Sequence, residues 1–399
     1  MYERIINEKK MNTVCAIESR RCNRCYGQNI KIDEYGISHC LDCYDYNNIT
    51  SLDYCLRLKR SLSHNNNVLR IGFPLTIEQK NGSQFLVNCY KKRKNALLQA
   101  VCGAGKTEMT LELIKLFLDE GKTVGFVIPR VEIIKQVFKR MKSYFPFTSV
   151  SCLYGGCILV MDSPFIILTP QQLIKFYQEF DLIIIDEVDA FPFKDNLFLE
   201  RLVNKSKRDD AMLVYMSATI SDKYKKMIDN GELAYFLLAK RYHELPLPIP
   251  EFIQSSGLVN KKVFTIINLL QKENRGLIIY VSSIKKATKL QKIMSIKGYS
   301  VQAITSETAD KNFVLKLFSR RELNILISST ILERGVTFKN VDVIVLQSEK
   351  EVFNQSSLIQ IAGRVGRMGD DGRVIFFAST ISKEMIAAKK AIMEFNKQL

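Results

Sequence analysis

The sequence predicts an α/β protein: two tandem parallel-sheet domains preceded by a small metal-binding module. Three observations carry that prediction. From about residue 85, short apolar runs alternate with amphipathic stretches, the pattern of strands buried on both faces and joined by helices. A proline-rich interval at 241–257 interrupts the alternation, which then restarts. Ahead of both, residues 1–60 are rich in Cys and Tyr and carry no long helical or strand periodicity.

The bulk composition allows this organisation. A chain of 399 residues suits two or three domains. Hydrophobic residues make up 47%, enough for large cores. Lys and Arg number 58 against 41 Asp and Glu, a balance of +17, which favours a polyanionic partner such as nucleic acid or an anionic membrane surface. A Lys-, Asn- and Ile-rich composition from an AT-rich genome gives the same excess with no partner at all. No segment reaches the ~18 continuous apolar residues of a membrane span, and the opening MYERIINEKKMN lacks an apolar signal core. Both predict a protein that stays inside the cell, where most of the ten cysteines are reduced thiols.

Within the module, residues 1–60, Cys22-x₂-Cys25 and Cys40-x₂-Cys43 are separated by 14 residues. Two such knuckles suit tetrahedral Zn²⁺ held by four thiolates, since each pair turns both sulfurs inward. His39, beside Cys40, is an alternative ligand; Cys15 and Cys55 read as spectators. So few periodic apolar segments need a staple to fold. Interleaved Arg and Tyr residues offer contacts to nucleic acid, but ten Lys/Arg against eight Asp/Glu in this stretch lend that little support.

The first α/β domain, 61–240, opens its alternation with ALLQAV (96–101), KTEMTLELIKLFLDEG (106–121), TVGFVIP (123–129) and VEIIKQVFKRMKSYF (131–145). FIILTP, DLIIID and MLVYMSAT supply further strands. AVCGAGKT (100–107) follows a strand and opens a helix, the context of a phosphate-binding loop. Gly103 and Gly105 let backbone N–H groups close on phosphate oxygens, with Ala104 and Glu108 in the same contact set. Lys106 reaches the β- and γ-phosphates and Thr107 ligates Mg²⁺. The strict pattern wants Gly where Ala100 stands, so the loop is a relaxed form. DLIII then delivers Asp186 and Glu187 to the same sheet edge. Asp186 is the candidate magnesium ligand and Glu187 the group that orients and deprotonates the attacking water. Lys91-Lys92-Arg93-Lys94 reads as a solvated loop before the first strand rather than a phosphate grip.

RYHELPLPIPEFIQSSG, 241–257, places Pro246, Pro248 and Pro250 within five residues and predicts a linker. The second α/β domain, 258–399, follows with RGLIIYVSS, VQAITS, LNILISST, VDVIVLQ and RVIFFAS. Its LIQIAGRVGR (358–367) sets Gln360, Arg364 and Arg367 at i, i+4 and i+7, one helix face entering a glycine turn. Arginines so placed can stabilise charge on a transferring phosphoryl group; a basic face on a solvated helix is the alternative.

In order, AVCGAGKT, PRVEII (129–134), LYGG (153–156), TPQQL (169–173), DEVD (186–189), SAT (217–219), IIYVSS (278–283), STILERGVTF (329–338) and QIAGRVGR resemble the motif series of superfamily 2 helicases. The resemblance spans about residues 75–380 and implies two RecA-like domains with ATP between them. It implies a nucleic-acid groove along Arg130, Gly155, Gly156, Thr169, Thr330 and Gly335. It gives Ser217, Ala218 and Thr219 the coupling of hydrolysis to domain movement, Gln79 of LTIEQ the adenine edge, and Gln360 a place at the nucleotide. The four-cysteine module, CGAGKTEM, DEVDAFP and QIAGRVGR together resemble the ComFA-type late-competence helicases of Gram-positive bacteria, which also carry the small residue Cys102 in the loop. That resemblance implies an ATP-driven translocase on single-stranded DNA at the inner face of the membrane. It would work with a membrane DNA channel and a phosphoribosyltransferase-like competence partner. Replication-restart, repair or RNA helicases on the same motor, and a nucleotide-gated DNA-binding module without turnover, remain the alternatives.

Overall fold

The computed structural model describes residues 1–63, 67–101, 103–189, 191–241, 245–273, 275–329, 338–366 and 370–397. Cys102, Thr330, Gly335 and Arg367 lie outside the described residues. Two compact units result, residues 1–99 with 106–237, and residues 238–399 with the short segment 100–105.

The cysteine-rich stretch is built from short strands: β1 (Tyr2–Ile6), β2 (Thr13–Cys15), β3 (Ile17–Glu18), β4 (Arg21–Cys22), β5 (Ile30–Ile32), β6 (Ser38–Cys40) and β7 (Tyr54–Leu58), with a 3₁₀ turn at Leu41–Tyr46. β1, β7 and β2 form an antiparallel sheet, while β3–β4 and β5–β6 are two small hairpins. Cys22 ends one hairpin and Cys40 ends the other. This module does not stand apart. Its four buried cysteines share one apolar core with Ile166, Ile183, Ile185 and Leu213 on a face of the first large sheet.

That sheet comprises β8 (Asn95–Ala100), β9 (Val124–Val127), β10 (Val150–Leu153), β11 (Phe165–Leu168), β12 (Phe180–Ile185), β13 (Lys207–Ser217) and β14 (Leu233–Leu238), in the order β10-β11-β9-β12-β13-β8-β14. The pairings from β10 through β8 are all parallel. β12, FDLIII, is buried at every position, as a central parallel strand covered on both faces must be. The helices are α1 (Ile77–Lys91), α2 (Lys106–Met109), α3 (Leu111–Asp119), α4 (Val131–Tyr144), α5 (Leu197–Ser206) and α6 (Asp222–Asp229).

The second unit repeats the architecture with β15 (Glu251–Gln254), β16 (Gly276–Tyr280), β17 (Val301–Ile304), β18 (Ile325–Ser328), β19 (Val341–Leu346) and β20 (Val374–Ala378), and with α7 (Lys261–Gln271), α8 (Ile284–Ile296), α9 (Lys311–Ser319), α10 (Gln355–Ala362) and α11 (Lys383–Asn396). Its order is β15-β20-β19-β16-β18-β17, parallel throughout. The interval 241–257 is only in part the linker that its prolines predict. Just past Pro250, Glu251–Gln254 pairs with Ile375–Ala378 as the edge strand, a position that needs backbone donors on one side only. Leu247 is fastened to α11 by both its N–H and its carbonyl, each 2.8 Å from the Asn396 side chain. Among the described residues no helix is long and apolar enough to cross a membrane.

Candidate functional site

Parallel strands deliver their carboxyl ends to one edge, and in α/β sheets that edge takes the ligands. In the first unit the sequence motifs fall there in an order the topology dictates. Arg130 follows β9 as the N-cap residue of α4. Gly155 and Gly156 follow β10, and Thr169 follows β11. These three strands are adjacent at one end of the sheet. A Cβ added at either glycine would meet nothing within 4 Å, and Gly156 has φ +80, so the turn leaves room for another backbone to approach. Thr169 donates its N–H to the Leu153 carbonyl at 3.1 Å, which ties the β11 end to the β10 end. Lys135 of α4 lies 5.6 Å over the Tyr154 ring. The structure thus brings Arg130, Gly155, Gly156 and Thr169 to one stretch of edge.

The catalytic candidates occupy the adjoining strands. β8 leads into the loop in which Gly103 and Gly105 hold φ +86 and +81, left-handed values that favour glycine. Ala104 is buried, its N–H 3.2 Å from the Val101 carbonyl. Lys106 and Thr107 begin α2, and Thr110 closes that turn on the Thr107 carbonyl through both N–H and hydroxyl. Glu108 is turned to Arg140 of α4 at 2.7 Å. Asp186 follows β12 and is fixed by two hydrogen bonds: its N–H to the Val127 carbonyl, and the Glu187 N–H to its Oδ1, each 2.9 Å. Glu187 sits at φ +56. The Asp186 carboxylate and the Thr107 hydroxyl are oxygen donors of the kind that Mg²⁺ takes.

The third carboxylate of DEVD has a partner that its motif did not predict. Asp189 is buried and accepts the Thr219 hydroxyl at 2.8 Å. Ser217, Ala218 and Thr219 form a tight turn in which the Ser217 hydroxyl bonds the Thr219 carbonyl and accepts its N–H at 3.1 Å. Gln99, the penultimate residue of β8, donates to the Ala218 carbonyl at 3.2 Å and accepts from the Tyr235 hydroxyl at 2.7 Å. The SAT turn is therefore hydrogen-bonded on one side to the acidic motif and on the other to the strand that precedes the lysine loop. Gln79 closes a capping box at the start of α1, its amide oxygen accepting the Thr76 N–H at 3.0 Å.

In the second unit, α10 is buried at every position from Ser356 to Ala362, and Gln360 and Arg364 are each 4% exposed. Neither Gln360 nor Arg364 therefore lies on a solvated face. The helix ends at Ala362 with Gly363 as its C-cap residue, and Arg364 stands in the turn that continues it. Arg241, which sequence reasoning passed over inside the expected linker, holds this turn. Its guanidinium is buried and donates to the Val365 carbonyl at 2.8 Å and to the Gly363 carbonyl at 3.2 Å. Gly366 has φ +71, and a Cβ there would come within 2.9 Å of that guanidinium. Arg241→Ala is expected to lower ATP turnover by roughly tenfold to a hundredfold, the penalty of a reacting group misplaced by an ångström or so. Single-turnover hydrolysis checks this; undiminished turnover means the turn holds itself.

The Sγ atoms of Cys22, Cys25, Cys40 and Cys43 all lie within 4.8 Å of one another, and all four residues are buried. Cys22 and Cys43 are 3.8 Å apart, Cys25 and Cys40 3.6 Å. Zinc–sulfur bonds of ~2.3 Å in a tetrahedron put sulfurs about 3.8 Å apart, so the spacing fits zinc and is far too long for disulfides. Hydrogen bonds from Cys25, Cys40 and Cys43 draw the Cys22 thiol below its ordinary range, while contacts with Cys22, Cys25 and Cys40 push Cys43 up. Shared protons of this kind are what a cation would replace. The Gly27 N–H, 3.3 Å from the Cys25 sulfur, is the backbone donor such a cluster needs. His39 is not a ligand here; its Nε2 bonds Asp33 at 2.8 Å. Burial pushes the Cys55 thiol up to about 12, which keeps it neutral.

Residues 65–222 match the family described as the res subunit of type III restriction enzymes, and residues 261–369 the helicase conserved C-terminal domain. Competence protein ComFA of Streptococcus pneumoniae is 33% identical over 393 residues, 94% of this chain and 90% of that protein. Competence protein ComFA of Bacillus subtilis is 35% identical over 340 residues, 81% and 72% of the two chains. Among solved structures, S. cerevisiae Dbp5 bound to RNA and ADP BeF3 shares the fold at TM-score 0.56 and 18% identity, covering 82% of this chain and 92% of its own. Two RecA-like parallel sheets, a four-cysteine cluster and this degree of identity make the chain a member of the ComFA family of competence proteins, built as an ATP-hydrolysing helicase.

Proposed function

We propose that the protein is an ATP-driven translocase on single-stranded DNA that assists the import of transforming DNA during natural competence. The observation that carries this reading is the division of one sheet edge. Candidate strand contacts follow β10, β11 and β9, and candidate hydrolytic groups follow β12, β13 and β8. A single rigid ladder thus underlies both activities.

In this reading Lys106 neutralises the β- and γ-phosphates, and Thr107 and Asp186 hold magnesium, which supplies charge compensation across those phosphates. Glu187 accepts the proton of the attacking water. Arg364 opposes charge on the transferring phosphoryl group. The hydrogen bond from Thr219 to Asp189 gives the SAT turn a direct mechanical link to the acidic motif. The four thiolates hold zinc as a structural ion. By family likeness the protein works with a membrane DNA channel and a phosphoribosyltransferase-like partner at the inner face of the membrane.

The second unit adds a basic groove of about 1230 Å³ along α8, at the carboxyl ends of β16 and β18, lined among others by Ser282, Lys285, Lys289, Lys292 and Ser306. Each phosphate neutralised on a single strand adds ~0.7 to the dependence of log affinity on log salt. Replacing Lys285 and Lys289 together by Ala is expected to weaken binding to oligothymidylate and to flatten that slope by roughly 1.4. A salt titration reads both; an unchanged slope removes the groove from the strand path.

The functional reading is tested by ATP turnover with single-stranded DNA, duplex DNA and RNA in parallel. Stimulation chiefly by single-stranded DNA supports it. Preference for RNA replaces it with an RNA helicase, and turnover that no nucleic acid stimulates leaves only a nucleotide-gated binder.

A further inference from the structure

Lys205, in the last turn of α5, has a side chain with no exposure at all. Its ammonium donates to Glu3 Oε1 at 2.6 Å, to the Arg24 carbonyl at 2.8 Å and to the Ile174 carbonyl at 2.9 Å. An ammonium has three donors, and all three are met. The acceptors come from three separate segments. Glu3 lies on β1 and also takes Arg57 Nε at 3.1 Å. Arg24 stands between Cys22 and Cys25, inside the first metal knuckle. Ile174 belongs to the 3₁₀ helix Pro170–Lys175, whose N-cap residue is Thr169 of the strand-binding edge.

The second knuckle grips the same helix. Asp42, between Cys40 and Cys43, accepts Arg201 Nη2 at 2.6 Å, and Tyr46 stacks on Phe198 with ring centroids 5.2 Å apart. α5 is thus held by both halves of the cysteine cluster and, through one enclosed charge, by the segment that carries Thr169.

A buried charge is costly unless every partner stays in place. If the first knuckle shifts, the Arg24 carbonyl leaves and the enclosed ammonium loses one of its three acceptors. If the Pro170–Lys175 helix shifts, the same happens through Ile174. Each displacement therefore makes the other easier. We propose that Lys205 couples the four-thiolate site to the strand-binding edge, so that metal occupancy and single-strand binding strengthen each other. The coupling rests on the reading of that edge as a single-strand site.

Linkage requires the effect to be reciprocal, which makes it measurable from either side. Zinc affinity of the full chain is determined by competition with a chelating dye, with and without saturating oligothymidylate. The oligonucleotide's affinity is then determined with and without zinc. The expected result is a rise of about fivefold or more, equal in both directions, the lower end of ordinary coupling between sites. Lys205→Met and the milder Lys205→Gln, each still taking up zinc, should bring that factor close to one. A lysine that merely stabilises the fold would lower the melting temperature and leave the factor intact.

Zinc affinity indifferent to the strand in the wild type overturns the proposal, as does a factor that survives Lys205→Gln. So does a protein that takes up no zinc. Should neither variant fold, a wild-type factor close to one overturns the proposal and a reciprocal rise of about fivefold or more supports it. Failure of the zinc-loaded wild type to bind oligothymidylate strikes the functional reading itself, whereas binding without linkage strikes only the coupling.

Discussion

Glu187→Gln should lower ATP turnover by roughly 10² to 10⁴-fold, the usual contribution of a positioned general base, and leave ATP affinity within about twofold. The two parts of this expectation have separate causes. Gln keeps the shape of the side chain but cannot accept the proton of the attacking water. In the proposed reading, nucleotide binding rests on other groups: the glycine turn, Lys106 and Asp186. The Asp186 carboxylate is oriented by the backbone N–H of residue 187, which the substitution leaves in place. Quench-flow hydrolysis and equilibrium binding of a fluorescent nucleotide read the two parts independently. Turnover that survives at wild-type level would mean another group activates the water, and the assignment of Glu187 would fall.

Removing the metal is expected to have the largest effect on stability. Zinc held by four thiolates supplies on the order of 10 kcal/mol of apparent binding free energy near pH 7. The cysteines sit in the same apolar core as strands β11 and β12, so the loss reaches the motor rather than only the module. If ~3 kcal/mol of it reaches the first unit, its melting temperature falls by roughly 6–12 °C, at ~2–4 °C per kcal/mol for a unit of this size. Chelation under reducing conditions, or Cys43→Ser, should show this drop together with loss of bound zinc. Acidification acts in the same direction, because protons compete with the metal for thiolates. A melt unchanged after complete metal removal would show that the module folds on apolar contacts alone.

The elements that were legible in the sequence are those whose physics is local. DLIII reads as a buried parallel strand because a run of branched apolar residues admits little else, and the structure buries all of β12. The glycines of the lysine loop and the two C-x₂-C pairs are similarly self-announcing, since each spacing follows from one turn of backbone. β10 was missed because VSCL alternates a serine and a cysteine with apolar residues and never forms a run. The edge strand β15 is masked by Pro246, Pro248 and Pro250, which stand immediately before it and read as a break. Partners across sequence distance were not legible at all. Nothing in DEVD announces that Asp189 will hold Thr219, 30 residues on. Nothing in a proline-rich stretch announces that Arg241 will fasten the arginine turn 122 to 124 residues away.

The strand order also sets a schedule for synthesis. β8, which carries the lysine loop, lies between β13 and β14, and its Ala96 is partnered with Val214. Both neighbours are translated long after β8 itself, and parallel pairing across such distances must wait for the intervening chain to close. A nascent chain that has emerged through Asp189 already holds the acidic motif, yet β8 still lacks both of its sheet neighbours. Nucleotide therefore cannot serve as a folding template for the early part of this motor, and ribosome-bound fragments ending before Leu238 are the ones that expose unpaired central strands to chaperones or aggregation.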